Sequence, residues 1–531
     1  MITVEEYLDA TGRALSGMAG IVGGLGDELA NTRPPVQGAS SPYALLTHCL
    51  GVVEYWAGGL VAGRAVQRDR DAEFTSSGPV AALLERVALA RGRLADDARG
   101  ADFAGPLRMP PDPDFLGPAG IATQGAALLH VYEELSQHHG QMEILRDLLR
   151  PQRAVDTGRL RAGTGVKWGA LAPDTIGAWV ADMDLGVAPA IRHALLDSVE
   201  REDFGYPHWP AGDPVVAAFE AWMARRHGWT PGGGQTRVFT DVLQILQVVV
   251  EHTTRPGDGV AIHVPAYPPF LASIARAGRR IVPLRDGADL RGVRLMVLVN
   301  PQNPTGRVFR RDELEALLDL AQRHDLTVLA DEIHADLVYA PHRHLPFAAL
   351  GEAAARRTVT ATSATKAFNL AGLRCAVAHV GPPALRAALD ALPLDFFGTP
   401  STLSRLATAA AWRDSDAWLD GLRATLTANR DTVARWAAAR PIAHTPPEGT
   451  YLAWLGGVAG PRPAERLERD ARVRLSEGAE FSAGTDVDTS GFVRLNFATG
   501  PAVLAEILQR LAPAIADGAP GPVPGPGRAR T

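Results

Sequence analysis

The chain has 531 residues, of which 46% are hydrophobic and 21% charged, and a formal net charge of −6. That length supports several packed units rather than one small module, and no run approaches the ~18 consecutive apolar residues of a membrane span. Residues 1–150 carry 19 acidic against 12 basic side chains, and residues 151–531 carry 40 against 41. Neither segment has the cationic surface that a phosphate backbone demands, so neither nucleic acid nor a membrane is an expected partner. The first residues, Met1 to Tyr7, lack the basic and apolar regions of a secretory signal. With only Cys49 and Cys375, no disulfide framework is available, and the reducing cytoplasm is the expected compartment.

In chain order, residues 1–150 read as helical. Segments 42–64, 79–96 and 121–150 repeat apolar residues at three- and four-residue spacing, among them Leu45, Val52 and Trp56, then Leu128, Leu129, Leu135, Ile144 and Leu145. Such a segment is expected to form a helical bundle. Residues 151–163 have no periodicity and are expected to be a linker. From 164 to 512 β-rich runs alternate with helical ones: Leu295–Asn300, helix Asp312–His324, Leu326–Asp331, Thr358–Thr362 and Cys375–Val380. This rhythm predicts an α/β unit with a mostly parallel central sheet. Residues 513–531, rich in Pro and Gly, are expected to be a disordered tail.

Lys167 and Lys366 are the only lysines, and the other 51 basic residues are arginines. Arginine cannot form an imine or give up its proton in a protein, whereas lysine does both when its surroundings lower its pKa. In a parallel sheet, ligands bind beyond the carboxyl ends of the strands. Asn303 follows one predicted strand, Asp331 ends the next, and Lys366 follows a third within Ser363-Ala-Thr-Lys366, with Arg374 eight residues on. A pyridoxal phosphate site requires such a set: a lysine for the aldehyde, a carboxylate for the ring nitrogen, donors for the phosphate and a cation for the substrate carboxylate.

These residues stand among Trp179-Val-Ala-Asp-Met-Asp184, Phe204-Gly-Tyr206-Pro, Asn303-Pro-Thr-Gly306, Asp331-Glu-Ile-His334-Ala-Asp336, Phe368-Asn-Leu-Ala-Gly372, Pro447-Glu-Gly-Thr-Tyr451 and Phe492-Val-Arg494. In these motifs residues ~160–512 resemble the fold-type-I pyridoxal-phosphate enzymes of the aminotransferase class I and II family, and most nearly their cystathionine β-lyase (MalY/PatB) branch. The resemblance implies a mostly parallel sheet with a smaller α+β C-terminal subdomain. It implies that Lys366 carries pyridoxal 5'-phosphate as an imine and moves the α-proton. Asp331 would pair with the ring nitrogen, Asn303 with the ring hydroxyl, and Tyr267 would stack on the ring beside His334. Ser363 and Arg374 would hold the phosphate, with Tyr206 reaching it from the partner of a homodimer. Arg494 would clamp the substrate carboxylate, near Trp179. Two departures stand out. Thr240-Asp241-Val242 puts an acid where the family has glycine near the phosphate, and His334 stands where many aminotransferases have tyrosine.

In the first segment, Glu134 and His138 are four residues apart and share a helix face, and an earlier helix supplies His48. Two nitrogens and one carboxylate form a reasonable site for zinc or another divalent metal. Residues 1–150 resemble the DinB-like superfamily of mycothiol-dependent transferases and maleylpyruvate isomerases, which implies a four-helix bundle with His48, Glu134 and His138 as metal ligands and a low-molecular-weight thiol as partner.

Together these readings describe a β-lyase acting on an amino acid or cysteine S-conjugate, releasing thiol, pyruvate and ammonia, fused to a thiol-transferase-like bundle. The alternative is an aminotransferase or decarboxylating deaminase acting on an S-cysteinyl intermediate, with the bundle serving as a non-catalytic interaction module.

Overall fold

The computed structural model describes residues 3–34, 38–112, 121–149, 155–393 and 395–515. The chain divides into two compact units, Met1–Gln152 and Arg153–Thr531.

The first unit is all-helical among the described residues. Helix α1 (Val4–Ala30) opens on a reciprocal cap, with Thr3 Oγ1 accepting from the Glu6 N–H and Glu6 accepting from the Thr3 N–H. This helix is absent from the three segments singled out by periodicity. Gly12, Gly17, Gly20, Gly23, Gly24 and Gly26 weaken its local signal, each at a cost of about 1 kcal/mol relative to alanine. Burial of Leu15, Met18, Val22 and Leu25 on one face outweighs that deficit.

Helix α2 (Pro42–Val61) is an α-helix to Val52 and a π-helix over Val53–Val61. It is long and apolar enough to cross a membrane, but 89% of its apolar window is buried within the unit. A helix apolar all round is one that the core surrounds. The short α3 (Arg70–Glu73), α4 (Val80–Arg99) and α5 (Gln124–Leu149) follow. One core joins Leu15, Leu46, Trp56, Leu83, Leu128 and Leu135. On α5 the buried stripe runs through Leu128, Val131, Leu135, Met142 and Leu145, whereas Leu129 and Ile144, one residue off that stripe, are exposed.

In the second unit, residues 157–162 of the expected linker form a helix, α6 (Thr157–Ala162). The Asp156 side chain caps it by accepting from the Arg159 N–H at 3.0 Å, and Leu160 packs on the unit's core. A cap and one apolar anchor thus order a stretch without visible periodicity. Residues 151–154 of that linker lie outside the described residues. At the other end, a helix over Pro501–Ile515 overlaps the start of the expected tail, with Ile515 buried. Residues 516–531 are outside the description.

The central sheet has seven strands: β1 (Thr236–Phe239), β2 (Gly259–Ile262), β3 (Arg280–Pro283), β4 (Val293–Val299), β5 (Thr327–Asp331), β6 (Thr358–Thr362) and β7 (Ala376–Val380), in the order β1-β7-β6-β5-β4-β2-β3. All neighbours are parallel except β7, which runs antiparallel to both β6 and β1. Six strands therefore share one direction and deliver their carboxyl ends to one edge. Strand β4 is buried at six of its seven positions, all but Arg294, as expected for a sheet covered on both faces. A smaller antiparallel sheet combines β8 (Ala443–His444), β9 (Leu452–Gly456), β10 (Ser476–Glu477) and β11 (Phe492–Asn496) in the order β10-β11-β9-β8. It sets Arg494 opposite Trp454 on one side and Ser476 on the other.

Lys167, one of the two lysines, is a structural residue. Its Nζ lies 3.0 Å from Asp184 Oδ1, which also accepts from Trp168 Nε1 at 2.6 Å. Both charges are buried, so Lys167→Ala leaves Asp184 without its cation. The variant is expected to lose about 3–5 kcal/mol of stability, read as a lowered denaturant midpoint. An unchanged midpoint would show the pair to be dispensable.

Candidate active site

The strand directions build a pocket of ≈ 210 Å³. Thr240 and Asp241 follow β1, Tyr267 follows β2, Asn303 follows β4, Asp331 ends β5, and Ser363, Thr365 and Lys366 follow β6. Arg374 precedes the reversed β7 and so arrives at the same edge, and Arg494 enters from β11. His334 lies one turn past Asp331.

Lys366 Nζ donates to the main-chain oxygen of Ala181 at 2.8 Å. Burial, reinforced by the Arg494 and Arg374 charges, lowers its pKa, while Asp182 and Asp331 oppose the shift. Tyr451 OH donates to the same carbonyl at 2.8 Å. Asp331 is buried and accepts from the Ile333 N–H at 3.1 Å. Burial pushes its carboxyl up to about 7, and no cation is paired to it among the described residues. Arg494 is buried and lowered to about 10 by desolvation. It donates to Asn303 Oδ1 and to the Trp179 oxygen, each at 2.9 Å, while its Nε has no partner among the described residues. Burial, then the Lys366 and Arg494 charges, lower His334 to about 3, so its imidazole is neutral, and its Nδ1 is also without a partner among the described residues. Tyr267, packed edge-on against Phe270, is raised by burial.

Arg374, largely exposed, is ion-paired with Asp241. The same carboxylate caps the helix Val242–Thr253, with Oδ1 accepting from the Gln244 N–H at 2.8 Å. The acid found in place of glycine therefore engages the very arginine expected at the phosphate, and an exposed pair of this kind is weak enough to exchange. Ser363 Oγ donates to the Cys375 oxygen at 2.5 Å and accepts from the Thr365 N–H at 3.1 Å.

Eight predicted residues, Tyr267, Asn303, Asp331, His334, Ser363, Lys366, Arg374 and Arg494, thus share one pocket. Trp179 contributes its carbonyl, and its ring stacks under Arg474 at 4.4 Å. Tyr206 is fully exposed and does not line the pocket of its own chain. Sequence reasoning missed Ala181, which acts through its main chain, and Tyr451, visible only as part of a motif.

In the helical unit, ligand atoms of His48, Glu134 and His138 lie within 4.8 Å of one another. Glu134 Oε2 is 3.5 Å from His48 Nε2 and 3.4 Å from His138 Nε2. Each histidine has its other nitrogen occupied: His48 Nδ1 by Glu73 Oε2 at 2.8 Å, and His138 Nδ1 by Gln141 Oε1 at 2.9 Å. Both rings are thereby oriented with Nε2 toward Glu134, the arrangement that outer-shell acceptors give to ligating histidines. Glu73, held by Arg68 at 2.8 Å, was not legible in the sequence because it approaches from the separate helix α3.

Residues 182–511 match the family model of class I and II aminotransferases, and the chain belongs to that family. Residues 3–151 match the model of mycothiol-S-transferases. A cystathionine beta-lyase of Corynebacterium glutamicum is 32% identical over 359 residues, covering 65% of this chain and 95% of its own length. Cystathionine beta-lyase PatB of Bacillus subtilis is 32% identical over 386 residues, covering 67% and 98%. The crystal structure of OvoB aligns with a TM-score of 0.63 at 33% identity, over 69% of this chain and 99% of that one.

The Asp331 carboxyl carries a pH signature. Its pKa rises from 3.8 to about 7 on folding, so within that window the native state binds more protons than the unfolded chain, and stability falls as pH rises. For the protein stripped of small ligands, the denaturant midpoint is expected to fall between about pH 4 and 7, and Asp331→Asn to remove that part of the slope. An identical slope in the variant contradicts the assignment.

Proposed function

We propose that residues 164–512 form a pyridoxal-phosphate-dependent carbon–sulfur β-lyase acting on a cysteine S-conjugate. The observation that carries this reading is the meeting of Lys366, Asp331 and Arg494 in one pocket with no ion pair among them. The residues fit the cofactor. Asp331 offers an unneutralised buried carboxylate to a protonated ring nitrogen, Lys366 is the one lysine among the pocket's lining residues, and Arg374 and Ser363 stand beside the N-terminus of the helix Val242–Thr253, where a phosphate would take Arg374 over from the Asp241 carboxylate. Bound there, pyridoxal phosphate supplies an electron sink for the charge left on the substrate Cα.

The chain's own groups do the rest. Arg494, with Nε unpartnered, holds the α-carboxylate by its guanidinium fork. Asp331 keeps the ring nitrogen protonated. Lys366, its pKa lowered by burial, takes the α-proton and holds it at Nζ. Once the α-proton is on Lys366, the electron pair left at Cα forms the Cα–Cβ double bond, the Cβ–S bond breaks, and the sulfur leaves with its bonding pair as thiolate, which takes up a proton. Water hydrolyses the resulting 2-aminoacrylate to pyruvate and ammonia. His334, neutral and buried, lines this pocket without adding charge.

For residues 1–150 the proposal is a DinB-like four-helix bundle in which His48, Glu134 and His138 hold zinc or another divalent ion that binds a low-molecular-weight thiol as thiolate. The oriented Nε2 atoms support this donor set. Tyr206, fully exposed in its own chain, is assigned to the neighbouring pocket of a homodimer.

With cystathionine or an S-alkyl-cysteine as substrate, thiol and pyruvate are expected in equal amounts, and Lys366→Ala should reduce the rate by about 10²–10⁴-fold. Keto acid without thiol would favour transamination instead. For the bundle, Glu73→Gln is expected to weaken zinc binding by about 10–100-fold without unfolding the protein. Unchanged affinity, measured by competition with a chelator, would remove Glu73 from the site, and no zinc binding by the unaltered protein would remove the metal assignment.

A further inference from the structure

A second cavity of the same unit, ≈ 500 Å³ in volume, shares no lining residue with the pocket around Lys366. Four arginines line it, Arg225, Arg226, Arg343 and Arg423, together with three histidines, against Asp336 as the single carboxylate of the wall. They come from separate stretches of chain: the last turn of the helix Pro214–His227, the segment 342–344, and the helix Asp416–Ala438.

The charge of Asp336 is already engaged. It accepts from Trp222 Nε1 at 2.9 Å and lies 2.9 Å from His227 Nε2. Arg225 and Arg226 stack on Trp222 and pair with Asp416, and Arg226 pairs more closely with Asp420 at 2.9 Å, neither acid being part of the wall. Their position at a helix C-terminus accounts for those two cations locally. It does not account for the other two. Arg423 donates to the Val338 oxygen at 2.6 Å and lies 3.8 Å from Asp420. Exposed Arg343 makes no hydrogen bond or ion pair with any described residue. With Asp336, Asp416 and Asp420 already engaged, Arg343 is the guanidinium of the wall left without an acid partner among the described residues, and a guanidinium fork matches a carboxylate or phosphate through two parallel N–H donors. The volume is that of a small-molecule site.

The turn after β5 divides its side chains between the two cavities. Asp331, Ile333 and His334 line the first, while Ala335 and Asp336 line the second. We propose that the second cavity binds a small polyvalent oxyanion, a phosphate or polycarboxylate compound, and that its occupancy is transmitted through this turn to Asp331. The transmission, though not the binding, rests on the reading of Asp331 as partner of the cofactor ring.

The test uses the cofactor-loaded protein at constant ionic strength, so that the phosphate subsite beside Arg374 is filled. Titration calorimetry with inorganic pyrophosphate and, separately, citrate reads binding, and the pH titration of the cofactor's visible absorption reads transmission. Expected are saturable binding of at least one probe at one per chain, at least about tenfold weakening by Arg343→Glu and by Arg423→Gln, and a displaced absorption titration in the bound form. Binding of pyrophosphate alone assigns a phosphate ligand, and of citrate alone a polycarboxylate. The proposal is overturned if neither probe saturates, if binding survives both substitutions, or if the absorption titration is the same with the cavity filled. A calorimetric failure speaks against the cavity alone, whereas loss of the β-lyase reading would leave the calorimetric result standing.

Discussion

Three ionisable side chains, Asp331, Lys366 and Arg494, are removed from water in one pocket without pairing with one another, and the rest of the site is arranged around them. Each is met instead by neutral groups: Asp331 by the Ile333 amide, Lys366 by the Ala181 carbonyl, Arg494 by Asn303 and the Trp179 carbonyl. Burying a charge without a counter-charge is costly, and the cost appears as pKa shifts toward the neutral forms. The fold supports this through an extensive core on both faces of the sheet. Shifted groups clustered in a cleft are a mark of chemistry rather than of stability.

Strand direction turns this constraint into a site. Because β1, β2, β4, β5 and β6 point the same way, residues distant in sequence arrive at one edge, and the reversal of β7 brings Arg374 to that edge from the other side. The small sheet then fixes Arg494 by register against Trp454 and Ser476. In the helical unit, the same convergence is made by α2, α3 and α5, which bring His48, Glu73 and Glu134 together although 25 residues separate the first two.

Much of this was legible because chemistry had left a local trace. The strand–turn placement of Asn303, Asp331 and Lys366 follows from residue type and hydrophobic runs alone, and the scarcity of lysine drew attention to Lys366. The other lysine needed the structure: only the buried contact with Asp184 shows Lys167 to be a structural cation. The Ala181 carbonyl, which accepts from both Lys366 Nζ and Tyr451 OH, left no trace in side-chain patterns because it belongs to the main chain. Helix α1 was hidden by its glycines and α6 by its shortness, since tertiary burial decided both against weak local propensity. Asp241 was legible as a departure, but its engagement with Arg374 was not.

The proposed β-lyase requires that Lys366, rather than Lys167, be the lysine to which the cofactor is joined. It is tested most directly by loading the protein with pyridoxal phosphate, fixing the linkage with borohydride and mapping the modified peptide. The cofactor's mass is expected on the peptide containing Lys366, and none on the peptide containing Lys167. A label on Lys167, or no label on either lysine, would contradict it.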